Sequence, residues 1–221
     1  MTWPSAARDQ GTFCVSCHTI APYAMARPFL RAALAETAPS ETECWVLWKD
    51  VEPFYPDQTV GLPKTSESRG TEAVLNALIL VWSDVPSGCL TADARLALEN
   101  MWALQLRSGK MNGSWAWLQF HNAPWEGDSQ CYGAALAAIT VGSAPGTYQS
   151  EPGVQAGLKR LSAYLLRGMD SQTPTDRVVL LWASMKIPGL LTETQKRKIV
   201  SETLAKPRDD GGFSMSATVG A

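Results

Sequence analysis

Residues 104–118 read LQLRSGKMNGSWAWL, and the tetrapeptide Asn112-Gly113-Ser114-Trp115 within them is where the fold becomes readable. The same order, polar then glycine then small then aromatic, occurs at Gln10-Gly11-Thr12-Phe13. It recurs at Asp210-Gly211-Gly212-Phe213. The three leading glycines lie 102 and 98 residues apart. Glycine permits a turn at a helix end, and the aromatic that follows can plug between neighbouring helices. Ala-rich helical sequence follows the first two copies. The spacing fits a unit of two helix pairs repeated around a ring, with unrelated glycine turns as the alternative.

Outward from this stretch, the chain reads as helices joined by Gly/Pro-rich loops. Residues 21–36 are Ala/Leu-rich, with Pro28 expected to bend or break them. Ser40 and Glu43 form a capping-box pattern before CWVLWKDV. Residues 52–70 carry three prolines and no periodicity, which predicts a long loop. Thr71 is then expected to cap a helix over 72–83, and Thr91 one over 92–107. Further helices are expected near 131–141, over 154–167 with Gly168 as the stop, and from TDRVVLLWASMK. Thr192 with Gln195 boxes the last, before a helix charged on one side. Residues 131–141 and 176–185 are apolar nearly all round, as buried helices are. No alternating run bounded by hairpin turns is present. The expectation is an all-α chain of about eight or nine helices, buried and half-exposed ones alternating as two concentric layers require.

The 221 residues suffice for one domain, residues 1–221, with a sizeable core. Apolar residues make up 45% and charged residues 18%, a globular balance. The nine tryptophans suggest aromatic-lined packing or a cavity. With a net charge of −2 and no Lys/Arg run longer than the three residues 196–198, nucleic acid is not the expected partner. The longest apolar stretch, around residues 73–82, is too short for a transmembrane segment and is interrupted by Asn76.

Cys14-Val15-Ser16-Cys17-His18 spells Cys-x-x-Cys-His, the string that tethers haem c through two thioethers and supplies an axial imidazole. This predicts Cys14, Cys17 and His18 as haem-binding residues, with His18 on the iron. Covalent haem attachment implies an exported, periplasmic protein. MTWPSAARDQ has no signal-peptide core, so a mature form or a fragment is expected. Zinc is the lesser alternative, since no second Cys-x-x-Cys or His-x-x-x-His supplies partner ligands; two structural cysteines are the other. His121, the second of two histidines, is the candidate sixth iron ligand or a core histidine among aromatics. Met25, Met101 and Met111 are the competing sixth ligands. Glu52, Asp57, Glu126 and Asp128 could supply acid chemistry, or be solvated loop carboxylates. Arg27 and Arg69 read as ties between loops and helices.

LQLRSGKMNGSWAWL and LAKPRDDGGFSM (204–215) resemble the Gln-Trp motif of the terpenoid cyclase and prenyltransferase superfamily, the prenyltransferase and squalene oxidase repeat proteins that include squalene–hopene cyclases. CVSCHT near the start and WAWL with PWE in the middle resemble squalene-cyclase-like bacterial proteins. The resemblance implies an α/α toroid, here an incomplete ring from a longer chain, and an isoprenoid ligand. Asp128 and Cys131 resemble zinc ligands of protein prenyltransferases; a helix cap and a packed cysteine are the plainer alternative. The Asp-x-Asp-Asp and Asp-Asp-x-x-Asp motifs of the superfamily's enzymes are absent from the chain, so the resemblance implies no particular activity. Three expectations follow: a haem c protein acting with a redox partner in electron transfer, an isoprenoid-binding or cyclising enzyme, or an interaction scaffold.

Overall fold

The computed structural model describes residues 20–37, 65–118, 130–207 and 209–213. Among these the chain is all-α. Seven α-helices form: α1 (Ile20–Ala33), α2 (Thr65–Asp84), α3 (Ala92–Ala103), α4 (Gln130–Ser143), α5 (Pro152–Arg167), α6 (Pro174–Lys186) and α7 (Glu193–Leu204). The described residues contain no strand. The helices sort into two rows. α2, α4 and α6 pack successively on one another, while α3, α5 and α7 lie outside them against α2, α4 and α6 respectively. α1 packs on α2.

The rows follow from composition. In α4 every residue from Gly133 to Val141 is buried, so it can only be a central helix. α5 buries just one stripe, Val154, Gly157, Leu161 and Leu165, at helical spacing, and belongs outside. α6 departs from its expectation as a fully buried helix. It buries Leu180, Ala183 and Ser184 but exposes Val178, Trp182 and Met185, which recur along its opposite face.

Local chemistry sets several boundaries as expected. Thr91 Oγ1 accepts the Ala94 N–H at 3.2 Å, capping α3. Thr192 and Gln195 form both halves of a capping box. Other boundaries differ. Pro28 sits inside a continuous α1, where packing on α2 holds the helix despite one lost hydrogen bond. α2 starts at Thr65, so the end of the expected loop is helical. Gly70 reads as a breaker but is an interior helix glycine: a Cβ there would lie 2.1 Å from the Ala116 carbonyl oxygen. Thr71 is not a cap. Its hydroxyl accepts the Leu118 N–H at 2.8 Å. α3 ends at Ala103, short of the expected 107, and Gly168 caps α5 at an ordinary φ of −101°. The expected helix after Ser40 lies outside the described residues.

Segment 104–118 ties the rows together. Leu106 N donates to Ser114 O at 2.9 Å and Gly113 N to Leu106 O at 2.8 Å, pinching the intervening turn into a loop. Gly113 has φ +103° and Gly211 +79°, turn conformations that favour glycine, but Gly113 lies ten residues past the end of α3 rather than at a helix end; Gly11 lies outside the described residues. Trp115 is fully buried and donates Nε1–H to Met101 O at 2.6 Å. Trp117 stacks over Gly133, where a Cβ would come within 2.2 Å of the ring. Phe213 does not plug a helix pair among the described residues; it is half exposed. Asp210 acts as a turn former, its Oδ1 accepting the Gly212 N–H at 2.9 Å.

Tyr148 gives the fold a measurable alkaline limit. Its hydroxyl accepts the Trp102 Nε1–H at 2.9 Å between α3 and the turn before α5. Burial pushes its phenol up from 10 to about 12, with Glu151 adding to the rise. The fold therefore favours the protonated phenol. Its stabilisation is complete below pH 10 and is lost as pH rises towards 12, about 2–3 kcal/mol in all. Denaturant unfolding across that range should show this fall, and the Tyr148→Phe protein should lack it.

Candidate functional site

α1, α2, α4 and α6 enclose a pocket of about 360 Å³, within the range of small-molecule sites. α1 supplies Pro22, Met25, Ala26 and Phe29, the i, i+3, i+4 and i+7 positions of one helix face. Leu78 and Trp82, one helical turn apart, come from α2. Tyr132 and Leu136 come from α4, again one turn apart, and Trp182 from the exposed face of α6. The lining carries no charged side chain.

The aromatic rings meet edge to face. Phe29 and Trp82 lie 5.8 Å apart at 73°, and Trp82 and Trp182 lie 6.1 Å apart at 65°. Lys186 Nζ stands 5.3 Å from the centre of the Trp82 ring, so its charge rests on that indole. The Trp82 Nε1–H is buried without an acceptor among the described residues. Phe29 and Trp182, at 41% and 40% exposure, form the open rim.

The pocket was not legible in the sequence beyond the excess of tryptophan. Trp82 and Trp182 are 100 residues apart, and only the packing of α2, α4 and α6 joins them. The buried polar pair Glu72 and Asn76, one turn apart on α2, was also missed. Asn76 interrupts the apolar run at 73–82 and Glu72 stands immediately before it, which is the signal that could have found them. Asp84 and Asp176, also buried, hold helix starts: Asp84 Oδ2 accepts from Thr91 N and Oγ1 at 2.7 and 2.9 Å, and Asp176 Oδ2 from Thr173 Oγ1 at 2.9 Å.

Cys14, Cys17, His18 and His121 lie outside the described residues, as do Glu52, Asp57, Glu126 and Asp128. Cys131 is buried in the first turn of α4. Arg27 pairs with Glu36, tying α1 to the segment after it. Met25 lines the pocket, Met101 is buried in the core and Met111 lies at the turn before Gly113. Among the described residues no group of three or more His, Cys, Asp or Glu side chains could hold a metal ion. Nor is any described helix long and apolar enough to cross a membrane.

No protein-family model, no curated protein and no solved structure matches the chain. The fold class therefore stands on the helices alone, and function has to be argued from the motif and the pocket.

Proposed function

We propose that this is an exported haem c protein acting in electron transfer in the periplasm, on a scaffold of the terpenoid cyclase and prenyltransferase type. Cys14 and Cys17 would hold the porphyrin through thioethers, His18 would bind the iron, and His121 would be its sixth ligand. Bound there, haem supplies one-electron exchange between ferric and ferrous iron.

The observation that carries the reading is the continuity of motif and apolar wall. α1 begins two residues after His18 and turns Pro22, Met25, Ala26 and Phe29 to the pocket. Chain length alone keeps the Cα atoms of His18 and Pro22 within about 14 Å. An uncharged, aromatic surface at that distance suits the apolar edge of a tetrapyrrole, and the lining presents no carboxylate to repel its propionates. The two helix rows support the toroid: an inner row of α2, α4 and α6 with one outer helix against each member is the repeating unit of such a ring.

Expression with a signal peptide in a host with haem-attachment machinery tests the reading. The denatured protein should keep haem-linked peroxidase activity on a gel and keep its haem through acid-acetone extraction. Complete extraction overturns covalent attachment. His121→Ala should change the low-spin ferric EPR signal; an unchanged signal removes His121 from the iron.

The pocket also favours a second reading, an isoprenoid-binding or cyclising enzyme whose Cys14 and Cys17 are structural or bind zinc. Its support is the aromatic, uncharged lining, which suits a hydrocarbon chain. Colourless, zinc-containing protein from the expression above would favour it.

A further inference from the structure

We propose that Met111 is a reversible oxidation site, at which a peroxide converts the thioether to a sulfoxide and so tightens the Gly113 turn on α5. Three consecutive residues of that turn are gripped from α5. Arg167 Nη2 donates to Lys110 O and Asn112 O at 3.2 Å each, and between them the Tyr164 hydroxyl donates to Met111 Sδ at 3.8 Å. The Arg167 guanidinium also stands 5.9 Å from the centre of the Tyr164 ring, so the two gripping side chains support each other. The turn fixes Met111 from its own side as well. Its carbonyl accepts the Ser114 N–H at 3.0 Å and the Ser114 Oγ–H at 2.8 Å. Met111 is 36% exposed, whereas Met101 and Met169 are buried in the core. A peroxide in solution therefore reaches Met111 and not these two.

The sulfur lone pair takes one oxygen from the peroxide. The O–O bond breaks as the S–O bond forms, and with hydrogen peroxide the other oxygen leaves as water. Sulfur loses two electrons and the peroxide gains them. A thioether is a weak acceptor, whereas a sulfoxide presents a polar oxygen. That oxygen extends from the sulfur into the gap of the 3.8 Å contact, which brings it within the ordinary O–H···O range of about 2.5–3.0 Å. Oxidising a core methionine introduces a polar group among apolar ones and destabilises. At Met111 a donor already points at the sulfur, and the opposite sign is expected. Met185 is 70% exposed and oxidises at least as readily, so the contact with Tyr164, rather than reactivity, singles out Met111.

Treatment of the full chain with dilute hydrogen peroxide, followed by peptide mass mapping and urea unfolding, tests this in wild type, Met111→Leu and Tyr164→Phe. Mapping should find Met111 as the sulfoxide in the wild type. Oxidation should raise the wild-type urea midpoint by about 0.3 M relative to its effect on Met111→Leu, the gain expected from one hydrogen bond. Met111→Leu reports oxidation at every other methionine, and any group held at residues 14–18 is common to all three proteins. Tyr164→Phe removes the donor and should show no such rise. Methionine sulfoxide reductases with a thiol reductant should return the wild-type midpoint to its starting value. An unmodified Met111 beside an oxidised Met185 overturns the proposal. So does a wild-type midpoint that rises no further than that of Met111→Leu, or a rise that persists in Tyr164→Phe.

Discussion

Gly113→Val should destabilise the protein by roughly 3–5 kcal/mol, while the same change at Gly211 costs about 1–2 kcal/mol. Both glycines head a repeat turn and both have positive φ, at +103° and +79°. Strain from a β-branched side chain in the left-handed region is common to the two. The difference is what surrounds them. A Cβ on Gly113 would lie 2.2 Å from the Arg160 carbonyl oxygen and 3.0 Å from Tyr164 Cβ, both on α5. Among the described residues nothing lies within 4 Å of a Cβ on Gly211. Valine at 113 must therefore push the turn away from α5. That turn is held there by Arg167 Nη2, which donates to Lys110 O and Asn112 O at 3.2 Å each. Urea unfolding of both variants provides the measurement. Equal losses would mean that the turn does not rely on its contact with α5.

These two glycines also mark the limit of what the sequence discloses. A positive φ is a local property, and the Asn-Gly and Asp-Gly dipeptides announce it. The helix starts at Thr91 and Thr192 were legible for the same reason: cap and partner lie within four residues. Gly70 was not, because its reason for being glycine is Ala116, on another segment. Read locally it ends a loop; in the fold it lets backbone meet backbone inside α2. Thr71 likewise looks like a cap and spends its hydroxyl on Leu118. The pocket is the extreme case, since its walls come from four helices between residues 22 and 182. The Cys-x-x-Cys-His motif is the reverse, contained in five consecutive residues and readable without any fold.

Gln105→Leu should cost about 2–4 kcal/mol although leucine is more apolar and similar in size. Gln105 is buried beneath the glycine turn and serves both sides of the contact with α5. Its Nε2 donates to Gly113 O at 3.1 Å and to Gly157 O at 3.0 Å, while its Oε1 accepts the Arg160 Nε–H at 3.1 Å. One planar amide thus satisfies two carbonyls and a guanidinium. Leucine would leave both carbonyl oxygens without this donor in a place water does not reach, and that desolvation outweighs the gain in apolar burial. Eight residues separate Gln105 from Gly113, and the clamp between Leu106 and residues 113–114 explains how they meet: the excess chain is looped out between its two hydrogen bonds. Gln105→Glu separates the donor from the acceptor role. It keeps the oxygen that receives Arg160 and replaces the amide donor by a second acceptor facing two carbonyls. It should therefore destabilise at least as much as leucine at neutral pH, and recover in part when acid protonates the new carboxyl and restores one donor. A leucine variant as stable as wild type would show that Gln105 is a passenger in the turn, and that Trp115, fully buried and bonded to Met101 O, holds the segment without it.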